Sequence, residues 1–344
     1  MTDNPFERGY IAPEPAPVHE PETSEPEQAQ PAAKAHAADG QMITEPGAYP
    51  DIDNEVYHHV EICDGPSISS TGLKTIESKS PLHYWFNSPL NPSRPEPAQK
   101  RHFNVGKAVH DRILLQGLFP KQYFILPADY DGRLKKFRDV KEERNAAEEA
   151  GVPVLFAKEA QMVEAVAEQV EKHDLARLLL TAGTPEMTVA AKDPVTGVWM
   201  RCRPDVLPDT TEIIPDIKTT ISAHPAAFEK QATNLGYFQS AAFYIDVIAE
   251  AYGPATTKRR FLLIAAEKEP PHPVQIYQLD DEAIQNGRML NRKALNTFAE
   301  CLRTGVWPAY SHPEHNPILP LTMSRFAHSE INRRVDSGEL SYED

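Results

Sequence analysis

The chain has 344 residues, and its 50 Asp and Glu against 35 Lys and Arg give a formal net charge of -15. This balance argues against a protein that coats DNA with a basic surface, so any contact with nucleic acid must be local. Hydrophobic residues make up 40% of the chain and the mean hydropathy is -0.49. No window approaches the roughly 18 uninterrupted apolar residues of a membrane helix, and we therefore expect a soluble protein without a membrane partner.

Residues 1–40 predict a disordered, acidic, proline-rich tail. They contain seven prolines and eight acidic residues against two basic ones, so they bury too little apolar surface to offset the entropy cost of ordering. The tail is either a solvated extension or a segment that spaces or docks a partner. Residues 41–344 are predicted to form the folded domain, with regular structure starting near Gly47.

The N-terminus and the cysteines indicate a cytoplasmic protein. The first residues, MTDNPFERGY, lack the basic and then apolar pattern of a secretory signal peptide. Cys63, Cys202 and Cys301 are an odd, widely spaced set without a C-x-x-C pair. This spacing argues against a disulfide framework, a zinc site built on close cysteine pairs and an iron–sulfur cluster.

Helical patterns dominate the first half of the domain. Ser69 or Ser70 is typical of a helix N-cap. Residues 104–117 predict an amphipathic helix, and His110 lies beside its apolar stripe. Residues 157–180 predict a second amphipathic helix.

The periodicity then changes to that of strands. Three short antiparallel strands joined by hairpins are predicted at 187–193, 198–207 and 212–220, followed by helices at 224–232 and 237–251, strands at 259–267 and 272–280, and a helix at 281–303. This order predicts an α/β domain with a mixed central β-sheet flanked by helices.

Two of these strands carry charged residues on one face. Alternation along the second strand puts Arg201, Arg203 and Asp205 on the same side. In the third strand, Asp216 and Lys218 share a face. A hairpin would bring the two aspartates to the same end of adjacent strands.

Converging carboxylates beside a lysine suit a hard divalent cation such as Mg²⁺, which prefers oxygen ligands. The lysine would orient the attacking water or offset the charge that develops on a phosphate. This combination predicts phosphodiester hydrolysis. The alternative is an ordinary strand ion pair between Asp216 and Lys218, which a D-x-K motif alone does not exclude.

The order of short motifs resembles the RecB-like branch of the PD-(D/E)xK nucleases, and within it the RecE type of exonuclease (exodeoxyribonuclease VIII). The motifs are GAYPDIDNEVYH, SISSTGL, VGKAVHDRIL with Gly106 and His110, RCRPD ending in Asp205, IPDIKTT with Asp216 and Lys218, and FQSAAFYIDV. The resemblance runs from about Gly47 to Trp307. It implies a restriction-endonuclease-like core, in agreement with the α/β pattern.

The resemblance also implies roles for individual residues. His110, Asp205 and Asp216 would be metal ligands, with the Ile217 carbonyl completing the shell around Mg²⁺, for which Mn²⁺ can substitute. Lys218 would be the catalytic lysine. A packed or capping histidine is the alternative for His110.

The resemblance leaves two possible roles open at some positions. Glu186 is either an outer-shell carboxylate or a solvated strand end. RecB-like relatives carry Gln and Tyr four residues apart on the helix after the lysine strand, whereas Gln239 and Tyr244 are five apart. Gln239 is predicted to contact DNA or the active site, and Tyr244 either does the same or packs in the core.

Several basic residues are candidates for contacts with DNA phosphates. They are Arg201, Arg203, Lys100, Arg101 and the cluster within 133–144. Lys and Arg near a metal site can bind the phosphates of the DNA backbone without contacting the bases. The alternative for each of these residues is a place on a solvated face of the protein.

The function that the resemblance implies is Mg²⁺-dependent resection of double-stranded DNA from 5′ ends, leaving 3′ single strands for a RecT-like annealing protein. It also implies a homo-oligomer, a toroidal tetramer with DNA in its channel. The chain has no G-x-x-x-x-G-K-[ST] motif, so we expect no need for ATP. The alternatives are a structure-selective or restriction-type endonuclease on the same core, and a non-catalytic module that binds DNA ends or proteins.

Overall fold

The computed structural model describes residues 42–95, 105–115, 119–210, 212–255, 258–310, 318 and 320–341. The predicted tail lies outside the described residues, as do Lys100 and Arg101. The first strand begins at Gly47, where regular structure was expected. Ile43, which precedes this strand, is already buried and forms an isolated parallel β-bridge with Cys63.

The described chain contains runs of consecutive helices, such as those between Ser70 and Gln122, and a run of consecutive strands between Gly183 and Thr220. The helices are α1 Asn54–His59, α2 Ser70–Ser78, α3 Pro81–Asn87, α4 Val105–Leu114, α5 Phe119–Gln122, α6 Arg138–Glu149, α7 Ala157–Lys172, α8 Asp174–Thr181, α9 Pro225–Asn234, α10 Tyr237–Tyr252, α11 Asp281–Thr304 and α12 Arg325–Asp336. The strands are β1 Gly47–Tyr49, β2 Ser67–Ser69, β3 Phe124–Ile125, β4 Val154–Leu155, β5 Gly183–Pro185, β6 Thr188–Lys192, β7 Trp199–Cys202, β8 Val206–Pro208, β9 Ile213–Thr220, β10 Arg260–Glu267 and β11 Val274–Gln278. None of the described helices is both long and apolar enough to span a bilayer.

The strands of the described residues form two larger sheets, ordered β1-β6-β7-β2 and β11-β10-β9, and two short ladders, β3-β4 and β5-β8. Both larger sheets are mixed. β2 runs parallel to β7 beside antiparallel neighbours, and β9 runs parallel to β10 while β11 is antiparallel. The predicted α/β fold with mixed sheet and flanking helices is therefore confirmed.

Two apolar layers enclose the β9–β10 pair. On one side, α2, α10 and α11 pack through fully buried side chains such as Leu73, Phe243 and Phe298. On the other side, α4 and α7 pack through Val109 and Val163. Each such side chain contributes about 1.5–3 kcal/mol when it leaves water, so both layers hold β9 firmly between them.

Strand β9 presents alternate residues to these two layers. Ile214 packs on the α10 side and Ile217 on the α4 side. Asp216 and Lys218 therefore face the α10 side, because side chains alternate along a strand. β9 is the edge strand of its ladder, which accommodates Pro215 without the loss of a ladder hydrogen bond.

The predicted set of three hairpin strands forms only in part. β6 and β7 pair antiparallel as expected. The predicted strand 198–207 divides into β7 and β8 around Pro204, which has no N–H to continue a ladder. β8 then pairs with β5, and β9 pairs with β10. The prediction that a hairpin joins Asp205 and Asp216 is wrong, and Asp205 lies beyond the end of β7 rather than on its face.

The predicted helix 157–180 is also divided. α7 ends at Lys172 and α8 begins at Asp174. His173 lies between them in an extended conformation, and its Nδ1 accepts a hydrogen bond from the Ala176 N–H at 3.2 Å. This side-chain cap satisfies a free N–H of α8, so the chain can turn without losing that hydrogen bond.

Helices α10 and α11 approach each other closely. A Cβ at Gly287 would lie 2.5 Å from the Phe238 carbonyl oxygen and 2.9 Å from Ala242 Cβ. The buried Asn291 donates its Nδ2 to the Gln239 carbonyl at 2.9 Å. Glycine is thus required at 287, and the contact fixes the helix that carries Gln239.

A buried carboxylate holds the turn between β6 and β7. Asp193, whose side chain is 1% exposed, accepts hydrogen bonds from the Thr196 N–H and hydroxyl at 2.9 and 2.6 Å. Both of its oxygens also pair with the Arg292 guanidinium of α11, at 2.7 and 2.8 Å. Burial alone would raise the pKa of Asp193, but these contacts outweigh it and hold the pKa below its ordinary value.

We expect Asp193→Asn to lower the free energy of unfolding by about 1.5–3 kcal/mol, the range for hydrogen bonds to a charged group. Because the folded-state pKa is depressed, the difference from wild type should be complete above the ordinary aspartate pKa of about 4. It should shrink as the pH falls through the lower folded-state pKa. Urea unfolding of both proteins across this pH range measures the effect, and a difference that stays constant down to acid unfolding would contradict it.

Candidate metal centre and active site

His110 is positioned by the packing of α4. The neighbouring Ala108, Val109 and Ile113 are buried against α7 and the β9–β10 pair. This leaves the His110 side chain 24% exposed at the edge of the layer. Its Nε2 lies 2.8 Å from Asp205 Oδ1, and its Nδ1 lies 3.3 Å from Glu186 Oε1.

The two carboxylates that face His110 come from breaks between strands. Glu186 lies in the segment between β5 and β6, and Asp205 lies in the segment between β7 and β8. The β5–β8 ladder, with Pro185 opposite Val206, brings these breaks together, and Glu186 N–H donates to the Asp205 carbonyl at 3.2 Å. Glu186 has a φ of 52°, a left-handed conformation that costs a non-glycine residue about 1 kcal/mol or more. The ladder holds it in that conformation and aims its side chain at His110.

His110, Glu186 and Asp205 form a group that suits a metal ion. One ligand atom from each residue lies within 4.8 Å of the others. An imidazole and two carboxylates at a half-buried point are donors that divalent cations accept. The donor set therefore fits a divalent cation, and its chemistry does not by itself identify which one.

Asp205 connects this group to β9. Its Oδ2 accepts a hydrogen bond from the Ile217 N–H at 2.5 Å. In a strand the N–H and C=O of one residue point to the same edge, so the Ile217 carbonyl faces the same side as Asp205. This orientation is compatible with the ligand role that the resemblance implies for that carbonyl.

Asp216 and Lys218 form a second pair next to the group of three. Asp216 is 6% exposed, and its Oδ2 lies 2.5 Å from Lys218 Nζ. Both residues interact electrostatically with Asp205. Asp216 is not one of the three close ligand residues, whereas Glu186, which the sequence offered as an outer-shell or solvated carboxylate, contacts His110 directly.

Lys218 is further placed by α10. Its Nζ lies 5.5 Å from the centre of the Tyr237 ring. The Tyr237 hydroxyl accepts a hydrogen bond from Gln231 Nε2 at 3.1 Å, and Gln231 Oε1 accepts one from the Thr220 hydroxyl at 2.8 Å. The end of β9 is thereby tied to the start of α10, with the lysine ammonium over an aromatic face that attracts cations.

Burial and close charges shift the pKa values of the cluster. Burial opposes ionisation of His110, but Asp205 and Glu186 outweigh it and raise the pKa of His110 to about 9. Burial would raise the pKa of Asp205, and His110 reverses this and lowers it. Burial raises the pKa of Glu186. Burial, with help from Asp205 and against the pull of Lys218, raises the pKa of Asp216 to about 6.

Lys218 stays protonated in this environment. Burial alone would lower the pKa of its ammonium group, but the carboxylates of Asp216 and Asp205 raise it above the ordinary value. The lysine is therefore suited to stabilise negative charge or to donate a proton, rather than to act as a free base near neutral pH.

Gln239 and Tyr244 take different positions on α10. Gln239 is 4% exposed, and its Nε2 has no hydrogen-bond partner among the described residues. Tyr244 is half-buried and packs edge-on against Phe261 at 6.0 Å between ring centroids. Burial raises the pKa of Tyr244 well above its ordinary value, and Asp216 and Asp205 add to this. Tyr244 is thus a packed aromatic whose hydroxyl is within electrostatic range of the cluster.

Arg201 and Arg203 make hydrogen bonds that stabilise the structure around the site. Arg201 is 5% exposed and donates to the backbone carbonyls of Tyr57 and Val60. Arg203 donates to the Thr188 hydroxyl at 2.8 and 3.1 Å and lies 4.0 Å from Glu186. Both guanidiniums lie over the Tyr57 ring. These contacts support a structural role, and the geometry at Arg201 gives no support to the predicted phosphate contact.

The basic cluster within 133–144 lies on the surface around α6. Several of its side chains pair with nearby carboxylates: Arg133 with Asp131, Lys136 with Asp129, Arg138 with Asp139 and Arg144 with Glu148. Such exposed local pairs are typical of a solvated face.

Sequence reasoning missed the direct part of Glu186 in the cluster and the contact of Tyr237 with Lys218. Only weak signals were present. Glu186 follows a proline ahead of a strand, and Tyr237 follows a glycine at a helix start. Neither pattern reveals a contact with a residue distant in sequence.

Comparison with known proteins places the chain in a family. No curated protein matches the sequence. Among solved structures, the chain is similar to a crystal structure from Eubacterium rectale described as "Putative exonuclease", at 13% sequence identity and a TM-score of 0.47, over 76% of this chain and 92% of that one. Residues 69–314, which include the whole cluster from His110 to Gln239, match the model of the "PDDEXK-like domain of unknown function (DUF3799)". The chain therefore belongs to the family of the PDDEXK-like domain DUF3799.

Proposed function

We propose that the protein is a Mg²⁺-dependent DNA exonuclease of the RecE type that digests double-stranded DNA from 5′ ends. The observation that carries the proposal is the convergence of His110, Glu186 and Asp205 beside the Asp216–Lys218 pair. A nuclease of this fold needs carboxylates to hold a divalent cation and a lysine beside the scissile phosphate.

The residues of the cluster have different proposed roles. His110, Asp205 and Glu186 would hold Mg²⁺, or Mn²⁺ in its place, with Asp216 and the Ile217 carbonyl nearby. A bound cation would neutralise phosphate charge and lower the pKa of a water molecule. The protonated Lys218 would stabilise the negative charge that builds on the phosphate. Asp216 keeps that ammonium in position through the 2.5 Å contact.

The finer parts of the proposal come from the resemblance to RecE-type enzymes. They are the 5′ to 3′ direction, the 3′ single-stranded product, a RecT-like annealing partner and a toroidal homo-tetramer around DNA. A ring would allow an acidic chain to remain on DNA if its positive groups faced the channel.

Digestion of end-labelled linear duplex tests the proposal. With Mg²⁺, a 5′ label should be released as short products early, while a 3′ label should remain on long single strands until late. EDTA should stop both reactions, and covalently closed circular DNA should stay intact because it has no end.

Two results would favour the alternatives. Cleavage of the closed circle would indicate an endonuclease on the same core. Binding to DNA ends without cleavage, with either Mg²⁺ or Mn²⁺, would indicate a non-catalytic module.

A further inference from the structure

The N-terminus of α10 lies next to the catalytic pair and has no side-chain cap. Its N-cap residue is Gly236, with a φ of 63°, and it offers no side chain to the first turn. The free N–H groups of a helix N-terminus and the helix dipole favour an anion. Tyr237, the first residue of α10, is also the residue whose ring faces Lys218.

Gln239 adds an unused donor at this place. It is 4% exposed, and its Nε2 has no partner among the described residues. Its Oε1 lies 3.6 Å from the point where a Cβ at position 236 would be. The side-chain amide therefore lies beside the first turn of α10 with its oxygen toward position 236. Its buried Nε2 donor without a partner is unfavourable unless a ligand accepts its hydrogen.

Lys74 brings a positive charge to the same place. Its Cδ lies 3.0 Å from the Cβ position of residue 236, and its Nζ donates to the Leu235 carbonyl at 3.2 Å. In the part of the chain that the structure describes, no carboxylate lies within ion-pair distance of this ammonium. Burial lowers the pKa of Lys74, and Lys218 lowers it further while Asp216 opposes the shift. Lys74 is thus within electrostatic range of the catalytic pair.

We propose that Lys74, Gln239 and the N-terminus of α10 form a phosphate-binding subsite that holds a DNA phosphate beside the one being cleaved. An ammonium, an amide N–H and helix N–H groups are donors that phosphate oxygens accept. A Cβ at position 236 would crowd the stem of Lys74, so glycine leaves room for that side chain beside the helix N-terminus. This inference rests on the proposed function, because it takes DNA to be the substrate.

The test measures the affinity for duplex DNA in EDTA, where no cleavage occurs, by fluorescence anisotropy at several salt concentrations. Lys74→Met removes the charge and keeps the apolar stem. It should weaken binding about tenfold, and it should reduce the slope of log affinity against log salt by about 0.9, the loss of one phosphate contact. Lys74→Arg should restore most of the affinity.

The matched control is Lys79→Met, at the C-terminal end of the same helix α2. It should leave affinity and salt slope unchanged. Gln239→Leu removes the amide and should weaken binding without changing the salt slope, because no charge is lost. Thermal melting of each variant shows that it is folded.

Duplexes with a 5′-phosphate and with a 5′-hydroxyl identify which phosphate binds. A Lys74→Met effect on the 5′-phosphorylated duplex alone assigns the subsite to the terminal phosphate, and an equal effect on both assigns it to an internal phosphodiester. If wild type binds and cleaves DNA but Lys74→Met behaves as Lys79→Met does, the subsite is wrong and the proposed function stands. If wild type neither binds nor cleaves DNA, both are wrong.

Discussion

Asp205→Asn is expected to lower DNA cleavage by at least about 10³-fold, because it removes the charge of a carboxylate at the centre of the cluster. Asp205 contacts His110 with one oxygen and the Ile217 N–H with the other. Asparagine keeps the shape but offers a cation only a neutral oxygen. Mg²⁺ at 100 times its Kd should stabilise the folded wild type by about 2.7 kcal/mol through mass action, which raises its melting temperature. The variant should lose this rise.

The control for Asp205→Asn is Asp193→Asn, a second buried carboxylate that lies in the β6–β7 turn. It should lower the melting temperature in the absence of metal, yet keep both the Mg²⁺-induced rise and the cleavage of linear duplex. A fully active Asp205→Asn protein would show that the metal centre has been placed on the wrong residues.

Lys218→Met is expected to lower turnover by about 10² to 10⁴, the usual range for a positioned acid–base group. The methionine keeps the apolar stem and removes the ammonium that Asp216 and Asp205 hold in its protonated form. No proposed metal ligand is removed, so the Mg²⁺-induced rise in melting temperature should persist.

Single-turnover cleavage of a 5′-labelled duplex at saturating enzyme measures this effect without contribution from DNA binding. Lys192→Met provides the comparison. Lys192 is also a strand lysine, but its ammonium lies over the Trp199 ring, and its removal should leave turnover unchanged. Loss of the metal-induced stabilisation with normal chemistry at saturating Mg²⁺ would reverse the proposed roles of Lys218 and the carboxylates.

The sequence by itself determined the elements that carry His110, Asp216, Lys218 and Gln239. Apolar spacing was enough to predict α4 and α10, because a helix that buries one face repeats its apolar residues every three to four positions. Alternation was enough to place Asp216 and Lys218 on one side of β9. The motifs also led to the PDDEXK-like fold, which the family match supports.

The tertiary structure alone decided which side chains meet. The β5–β8 ladder and the left-handed Glu186 bring that carboxylate to His110, whereas the predicted hairpin between Asp205 and Asp216 does not form. Lys74 reaches Gly236 only because α2 packs beside α10. Local pattern encodes the period and burial of each element. Contacts between distant segments depend on which strands pair and which helices pack together, and that is settled by the free energy of the whole core.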